Sequence, residues 1–171
     1  MAASNPFVYG EIVTSEAFAD REQERDRLRR DLASGQKVFL ISPRRYGKSS
    51  LVRDVLRGLA RENVLTVEVT VAASSSYVGF LESYARALVA ADTPMSRLRR
   101  WTSELLTGVR PEVRFDTAPT GEPGFSLAFP AVRTARDTAR LAAEVFALPA
   151  RIAAERKQKL AIALDEFQAL T

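Results

Sequence analysis

The chain alternates short continuous apolar runs with longer stretches in which apolar residues recur every three or four positions. The first pattern is typical of strands in a covered parallel sheet, and the second of helices with one buried face. Helical periodicity covers residues 21–34 and 48–61, while apolar runs predict strands at 37–41, 64–71 and 160–164. The order of these elements predicts an α/β fold with a parallel central sheet, whose first central strand is the run at 37–41.

The second half of the chain adds helices and one excursion of a different character. Helical sequence covers residues 77–91 and 94–106, and a third helical stretch at 132–158 contains Pro149, where we expect it to break or restart. Residues 109–129 hold two β-like runs around a turn rich in proline and glycine. This pattern predicts a β-hairpin inserted into the main α/β unit.

The loop after the run at 37–41 carries the most specific chemical signal in the chain. It reads Ser-Pro-Arg-Arg-Tyr-Gly-Lys-Ser from Ser42 to Ser49, and helical sequence follows directly. A strand, a tight loop ending in Gly-Lys-Ser and a helix form the layout of a phosphate-binding P-loop. Ser42 stands where the usual pattern has its first glycine, and a chance match of so short a motif is the alternative interpretation.

Each residue type at the end of this loop has a physical reason for its place. Gly47 lets the backbone approach a phosphate that a Cβ would obstruct. The backbone N–H groups at the start of the helix favour an anion, because they lie at the positive end of the helix dipole. Lys48 would then reach the β- and γ-phosphates of ATP, and the Ser49 hydroxyl would be a ligand of Mg²⁺.

A second motif follows the apolar run at 160–164, where Asp165 and Glu166 stand at its C-terminal end. Ligands of open α/β sheets bind at this end of the strands. There Asp165 would hold Mg²⁺ and Glu166 would polarise the attacking water as a general base. Two acidic residues after a strand often mark only the solvent-exposed end of that strand. Here their position downstream of the P-loop motif favours a Walker B arrangement.

Composition narrows the chemistry that this chain can perform. Its 171 residues include no cysteine and no histidine, which excludes disulfides and thiolate catalysis and leaves carboxylates and hydroxyls as candidate ligands for Mg²⁺. The net charge of +4 makes nucleic acid an alternative partner, but acids alternate with the basic residues, so this partner is not favoured. No membrane-spanning run and no leader pattern occurs, which predicts a cytoplasmic protein without a membrane partner.

Four segments share a pattern with one group of ATPases. They are Asn-Pro-Phe at 5–7, Phe-Ala-Asp-Arg-Glu at 18–22, the loop at 42–49 with the Ser-Leu pair after it, and Asp-Glu-Phe-Gln at 165–168. Together they resemble the archaeal-type ATPases, which are P-loop NTPases of the STAND group and relatives of the AAA+ ATPases. A serine at position 42 also fits the form that the loop takes in this family.

The resemblance covers the whole chain and implies the N-terminal part of an ATPase domain, built as a three-layer P-loop sandwich around a parallel sheet, with the hairpin as an insertion. The segment at 18–22 resembles a box that lies near the adenine in this family, although Asp20 replaces its glycine. The positions that would bind ATP are Ser42, Pro43, Arg44, Arg45, Tyr46, Gly47, Lys48, Ser49 and Ser50.

The same resemblance assigns the remaining roles. Lys48 and Glu166 would act in catalysis, while Ser49 and Asp165 would be the Mg²⁺ ligands. In this family a further strand with a polar sensor residue follows the Walker B motif, whereas this sequence stops at Thr171. We therefore expect a sheet with a gap between the P-loop strand and the Walker B strand, and poor ATP turnover by this segment alone.

The function that these expectations favour is a slow ATP-hydrolysing molecular switch, coupled to a protein partner or effector domain outside the segment. A nucleotide-binding scaffold without turnover is one alternative. An origin-recognition-like ATPase associated with DNA is another. The sequence itself does not distinguish between them, because all three need the same phosphate-binding loop.

Overall fold

The structure, a computed structural model, describes residues 21–41, 46–92, 111–117 and 123–167. The chain divides into two compact units, Met1–Thr66 and Val67–Thr171. Helices and strands occur together in the described residues, and the α/β class is confirmed. The helix expected at 94–106 lies outside the described residues. The three-layer P-loop sandwich stays a proposal.

The described residues of the first unit form two helices, α1 (Glu22–Ala33) and α2 (Lys48–Arg61), which pack against each other. Both helices match the sequence prediction, and α2 has the expected bounds. The helices bury the apolar side chains of Leu28, Leu51, Val55, Leu56 and Leu59. Burying a leucine or valine side chain is worth about 1.5–3 kcal/mol, so this apolar face holds α2 in a defined orientation.

The run at 37–41 is not a strand, so the prediction of a first central strand there is wrong for this structure. Its side chains are exposed instead: Phe39 is 86% and Ile41 is 92% accessible. Apolar sequence alone does not make a strand, because backbone N–H and C=O groups need a neighbouring strand to pair with. Within the described ranges no strand pairs with this run.

Besides a short 3-10 helix at Val71–Ala73, six further helices and strands follow in the described residues. In order they are β1 (Leu65–Thr70), α3 (Tyr77–Asp92), β2 (Glu112–Thr117), β3 (Pro123–Ala128), α4 (Ala135–Arg156) and β4 (Leu160–Asp165). The described strands form two separate two-stranded sheets, a parallel one of β1 with β4 and an antiparallel one of β2 with β3. The strands expected at 64–71 and 160–164 are therefore confirmed.

The side chains of strand β4 are more exposed to solvent than its sequence predicts. A strand buried on both faces was expected, but Ala161 is its only buried residue and Leu164 is 37% exposed. The physical reason is that the sheet is small. Among the described strands β4 has β1 as its one neighbour, and a two-stranded sheet cannot be covered like the centre of a wide one.

The β2–β3 pair confirms the predicted hairpin. Its register runs from Glu112 opposite Ala128 to Thr117 opposite Pro123. The helix α3 packs against β3, and the Glu82 carboxylate accepts a hydrogen bond of 3.0 Å from the backbone N–H of Phe129. This hydrogen bond connects the end of the hairpin to α3.

The core of the second unit lies between α3 and α4. Fully buried side chains on the two helices include Phe80, Leu88, Leu141, Leu148 and Ile152. The helix α4 runs unbroken through Pro149, so the expected break there is wrong. Proline removes one backbone hydrogen bond, but buried residues on both sides of it keep the helix packed. No helix in the described part of the chain is long and apolar enough to cross a membrane.

Candidate functional site

The end of the predicted P-loop is a left-handed turn at Gly47. This glycine has a φ of +67° and is the N-cap of α2, so that the helix begins at Lys48. A side chain rarely tolerates such a φ, which explains physically why glycine stands here. Tyr46 precedes it and is exposed. The four loop positions before Tyr46, Ser42, Pro43, Arg44 and Arg45, lie outside the described residues.

The first turn of α2 presents the predicted phosphate-binding residues. Lys48 and Ser49 are half-buried, and Ser50 is 7% exposed. This turn contains no acidic residue, so no carboxylate there competes with an incoming anion. The positive end of the helix dipole adds to the charge of Lys48. The arrangement therefore suits a phosphate group, and a hydroxyl such as that of Ser49 suits Mg²⁺.

Arg21 also belongs to this region, which sequence reasoning did not foresee. Its Nη1 donates a hydrogen bond of 2.6 Å to the carbonyl oxygen of Tyr46. The resemblance had drawn attention to the segment at 18–22, but as a neighbour of the adenine. In the structure Arg21 contacts the backbone of the loop, and residues 18–20 lie outside the described part of the chain.

The predicted Walker B acids stand at the end of β4, in the second unit. Asp165 is the last residue of the strand and is half-buried, and Glu166 is exposed. The backbone N–H of Glu166 donates a hydrogen bond of 2.9 Å to the Asp165 carboxylate. Glu166 has a φ of +56°, a left-handed conformation that is uncommon for a residue with a side chain. Backbone strain of this kind often accompanies functional residues.

The predicted site residues thus form two groups. Gly47, Lys48 and Ser49 are consecutive in the first unit, and Asp165 and Glu166 are adjacent in the second. Within the described residues, no three acidic side chains come together as a metal site made by protein alone. Mg²⁺ does not require such a cluster, because it usually keeps several waters and takes one or two carboxylates together with phosphate oxygens.

Among the described residues of the second unit, two ionisable groups away from Asp165 and Glu166 have shifted pKa values. Burial raises the pKa of the Tyr84 phenol above its ordinary value. Hydrogen bonds from the side chain and backbone of Thr134 lower the pKa of Asp137, which caps the start of α4. Both shifts follow from local structure.

Comparisons of this chain with family models, curated proteins and solved structures found no match.

Proposed function

We propose that this chain binds ATP together with Mg²⁺ and uses Gly47 and the first turn of α2 to hold the phosphates. One observation supports this most directly: Gly47 adopts a φ of +67° immediately before Lys48 and Ser49. A left-handed glycine at a helix start, followed by a cation and a hydroxyl, combines backbone access, positive charge and a metal ligand within three residues.

The packing of α2 supports the same function. Leu51, Val55 and Leu59 are at most 2% exposed and fix the helix on its inner side, which also fixes the direction of its first turn. Donors held in place before the ligand arrives lose little conformational freedom on binding. Mg²⁺, when bound, would neutralise charge on the phosphates, and the residues of this chain that suit it are Ser49 and Asp165.

Hydrolysis of the bound ATP is the second part of the proposal. Glu166 is exposed and follows Asp165 directly, so that its carboxylate is accessible to water beside the candidate Mg²⁺ ligand. As the general base that the Walker B pattern assigns, it would accept a proton from the attacking water. The resulting protein would be a slow ATP-driven switch that acts on a partner or effector domain, in line with the ATPase family that the sequence resembles.

Calorimetric titration of ATP with Mg²⁺ tests the binding step. Lys48→Ala should weaken binding about 10- to 150-fold, because a hydrogen bond to a charged group is worth about 1.5–3 kcal/mol. Lys37→Ala is the matched control, because Lys37 is exposed and its loss changes the net charge equally. Equal affinities in Lys48→Ala and Lys37→Ala would show that the chain does not use this turn to bind ATP.

Phosphate release tests the hydrolysis step and separates the switch from a scaffold without turnover. Because we expect poor turnover by this segment alone, the assay uses the protein together with the effector domain that the proposal requires. There Glu166→Gln should keep ATP affinity but lower turnover by about 10²-fold or more, because the amide cannot accept the proton. Glu155→Gln, an exposed acid on α4, is the control. Unaltered turnover in Glu166→Gln would place the base elsewhere. If the protein with its effector domain binds ATP but never releases phosphate, the scaffold without turnover is supported.

A further inference from the structure

Arg21 links the start of α1 to the turn that precedes α2. Its Nη1 donates to the Tyr46 carbonyl oxygen at 2.6 Å, and the two residues are 25 positions apart in the chain. The Arg21 side chain is 23% exposed, and its bond to Tyr46 lies at the protein surface. A hydrogen bond from a charged donor is stronger than one between neutral groups, so this bond can orient the backbone even there.

Glu24 holds the other side of the Arg21 guanidinium. The Nε of Arg21 donates a hydrogen bond of 2.6 Å to Oε2 of Glu24, and Nη2 forms an ion pair with the same oxygen. Glu24 lies in the first turn of α1, three residues after Arg21. Because the guanidinium is planar and its donors have fixed directions, a partner on one side orients the donor on the other.

The bond to Tyr46 also affects Gly47. In a planar trans peptide, the C=O of one residue and the N–H of the next point in opposite directions. Arg21 therefore turns the Gly47 N–H away from itself when it holds the Tyr46 oxygen. The guanidinium also lies beside the glycine, since a Cβ built on Gly47 would be 3.9 Å from Arg21 Nη1.

We propose that Arg21, held by Glu24, is a positioning residue that sets the Tyr46–Gly47 peptide for phosphate binding. The proposal rests on the function proposed above and adds a specific residue to it. Arg21 acts on the phosphates through the backbone of the loop and makes no contact with the base. Its charge is largely compensated by Glu24, so its effect comes from geometry and only slightly from attraction of the anion.

Calorimetry with two ligands, Mg-ATP and Mg-tripolyphosphate, tests where Arg21 acts. Arg21→Ala should weaken the binding of both ligands by a similar factor of about ten, because both present phosphates to the same turn. Arg21→Lys should recover part of the loss. Arg25→Ala is the control four residues further along, in α1, because Arg25 bonds to Asp26 and has no bond to Tyr46.

Glu24→Gln separates positioning from simple charge attraction, because the two explanations predict changes in ligand affinity of opposite sign. If Arg21 attracted the phosphates directly, removal of the Glu24 charge would leave Arg21 less compensated and tighten binding. If Arg21 positions the peptide, Glu24→Gln should weaken binding by a few-fold, since the amide orients the guanidinium less well. Tighter binding in Glu24→Gln would overturn the proposal. Circular dichroism establishes that each variant keeps its helices.

The remaining outcomes distinguish this proposal from the proposed function. If Lys48→Ala weakens binding and Arg21→Ala does not, the positioning role is wrong and nucleotide binding stands. If Arg21→Ala weakens binding of Mg-ATP but leaves Mg-tripolyphosphate unchanged, Arg21 contacts the base, which also overturns the proposal. If Lys48→Ala changes nothing, the proposed function itself is wrong.

Discussion

The replacement Gly47→Ala tests how the left-handed turn at the head of α2 contributes to stability and to binding. Gly47 has a φ of +67°, and the nearest atom to an added Cβ is Arg21 Nη1 at 3.9 Å, an ordinary van der Waals contact. The substitution therefore causes no clash in the protein itself. Its cost to stability comes from the backbone conformation alone.

That cost can be worked out. The left-handed conformation costs an alanine about 1–2 kcal/mol, and the less flexible unfolded chain returns about 0.4–1 kcal/mol. The net loss in the free energy of unfolding is about 1 kcal/mol, which corresponds to a decrease in Tm of about 2–4 °C for a chain of this size. Gly35→Ala is a matched control, because Gly35 has a φ of +81° and no atom within 4 Å of its added Cβ.

The two variants should differ in function. Both should lose about 1 kcal/mol of stability in urea unfolding followed by circular dichroism. Gly47→Ala should also lose ATP affinity about 10- to 150-fold, because a Cβ keeps the phosphate from one charge-assisted N–H bond worth about 1.5–3 kcal/mol. Equal ATP affinities in the two variants would refute the argument that Gly47 permits close approach of the backbone.

Three further predictions concern stability. Gly58→Ala should stabilise the protein by about 0.5–1 kcal/mol in urea unfolding, because Gly58 lies inside α2 and no atom is within 4 Å of its added Cβ. Glu166→Gly should stabilise by about 1 kcal/mol, because it relieves the φ of +56°, while Glu166→Gln keeps the strain and should not. The pKa of Asp137 is lowered from its ordinary value of 3.8. The stability that its carboxylate contributes is therefore fully present above pH 3.8 and is lost as the pH falls through the lowered pKa. Asp137→Asn should therefore be less stable than the natural chain at pH 7, and the difference in urea unfolding should shrink in acid.

Much of the local structure follows from the sequence. The bounds of α2 were predictable because Gly47 permits the left-handed turn that starts the helix, and apolar residues then recur at helical spacing from Leu51 to Leu59. The pairing of β2 with β3 was predictable for a similar reason, since the sequence between two short β-like runs is rich in proline and glycine. In each case the signal lies within about fifteen neighbouring residues, where chain geometry alone brings the groups together.

Only the tertiary structure decided those features that depend on contacts between residues far apart in the sequence. The run at 37–41 has strand-like sequence, but whether it becomes a strand depends on a neighbour to pair with its backbone. The helix α4 passes through Pro149 because its packing against α3 outweighs the lost hydrogen bond. The bond from Arg21 to the Tyr46 oxygen joins residues far apart in the chain. No local pattern encodes such a contact, because it exists only once α1 and α2 have packed together.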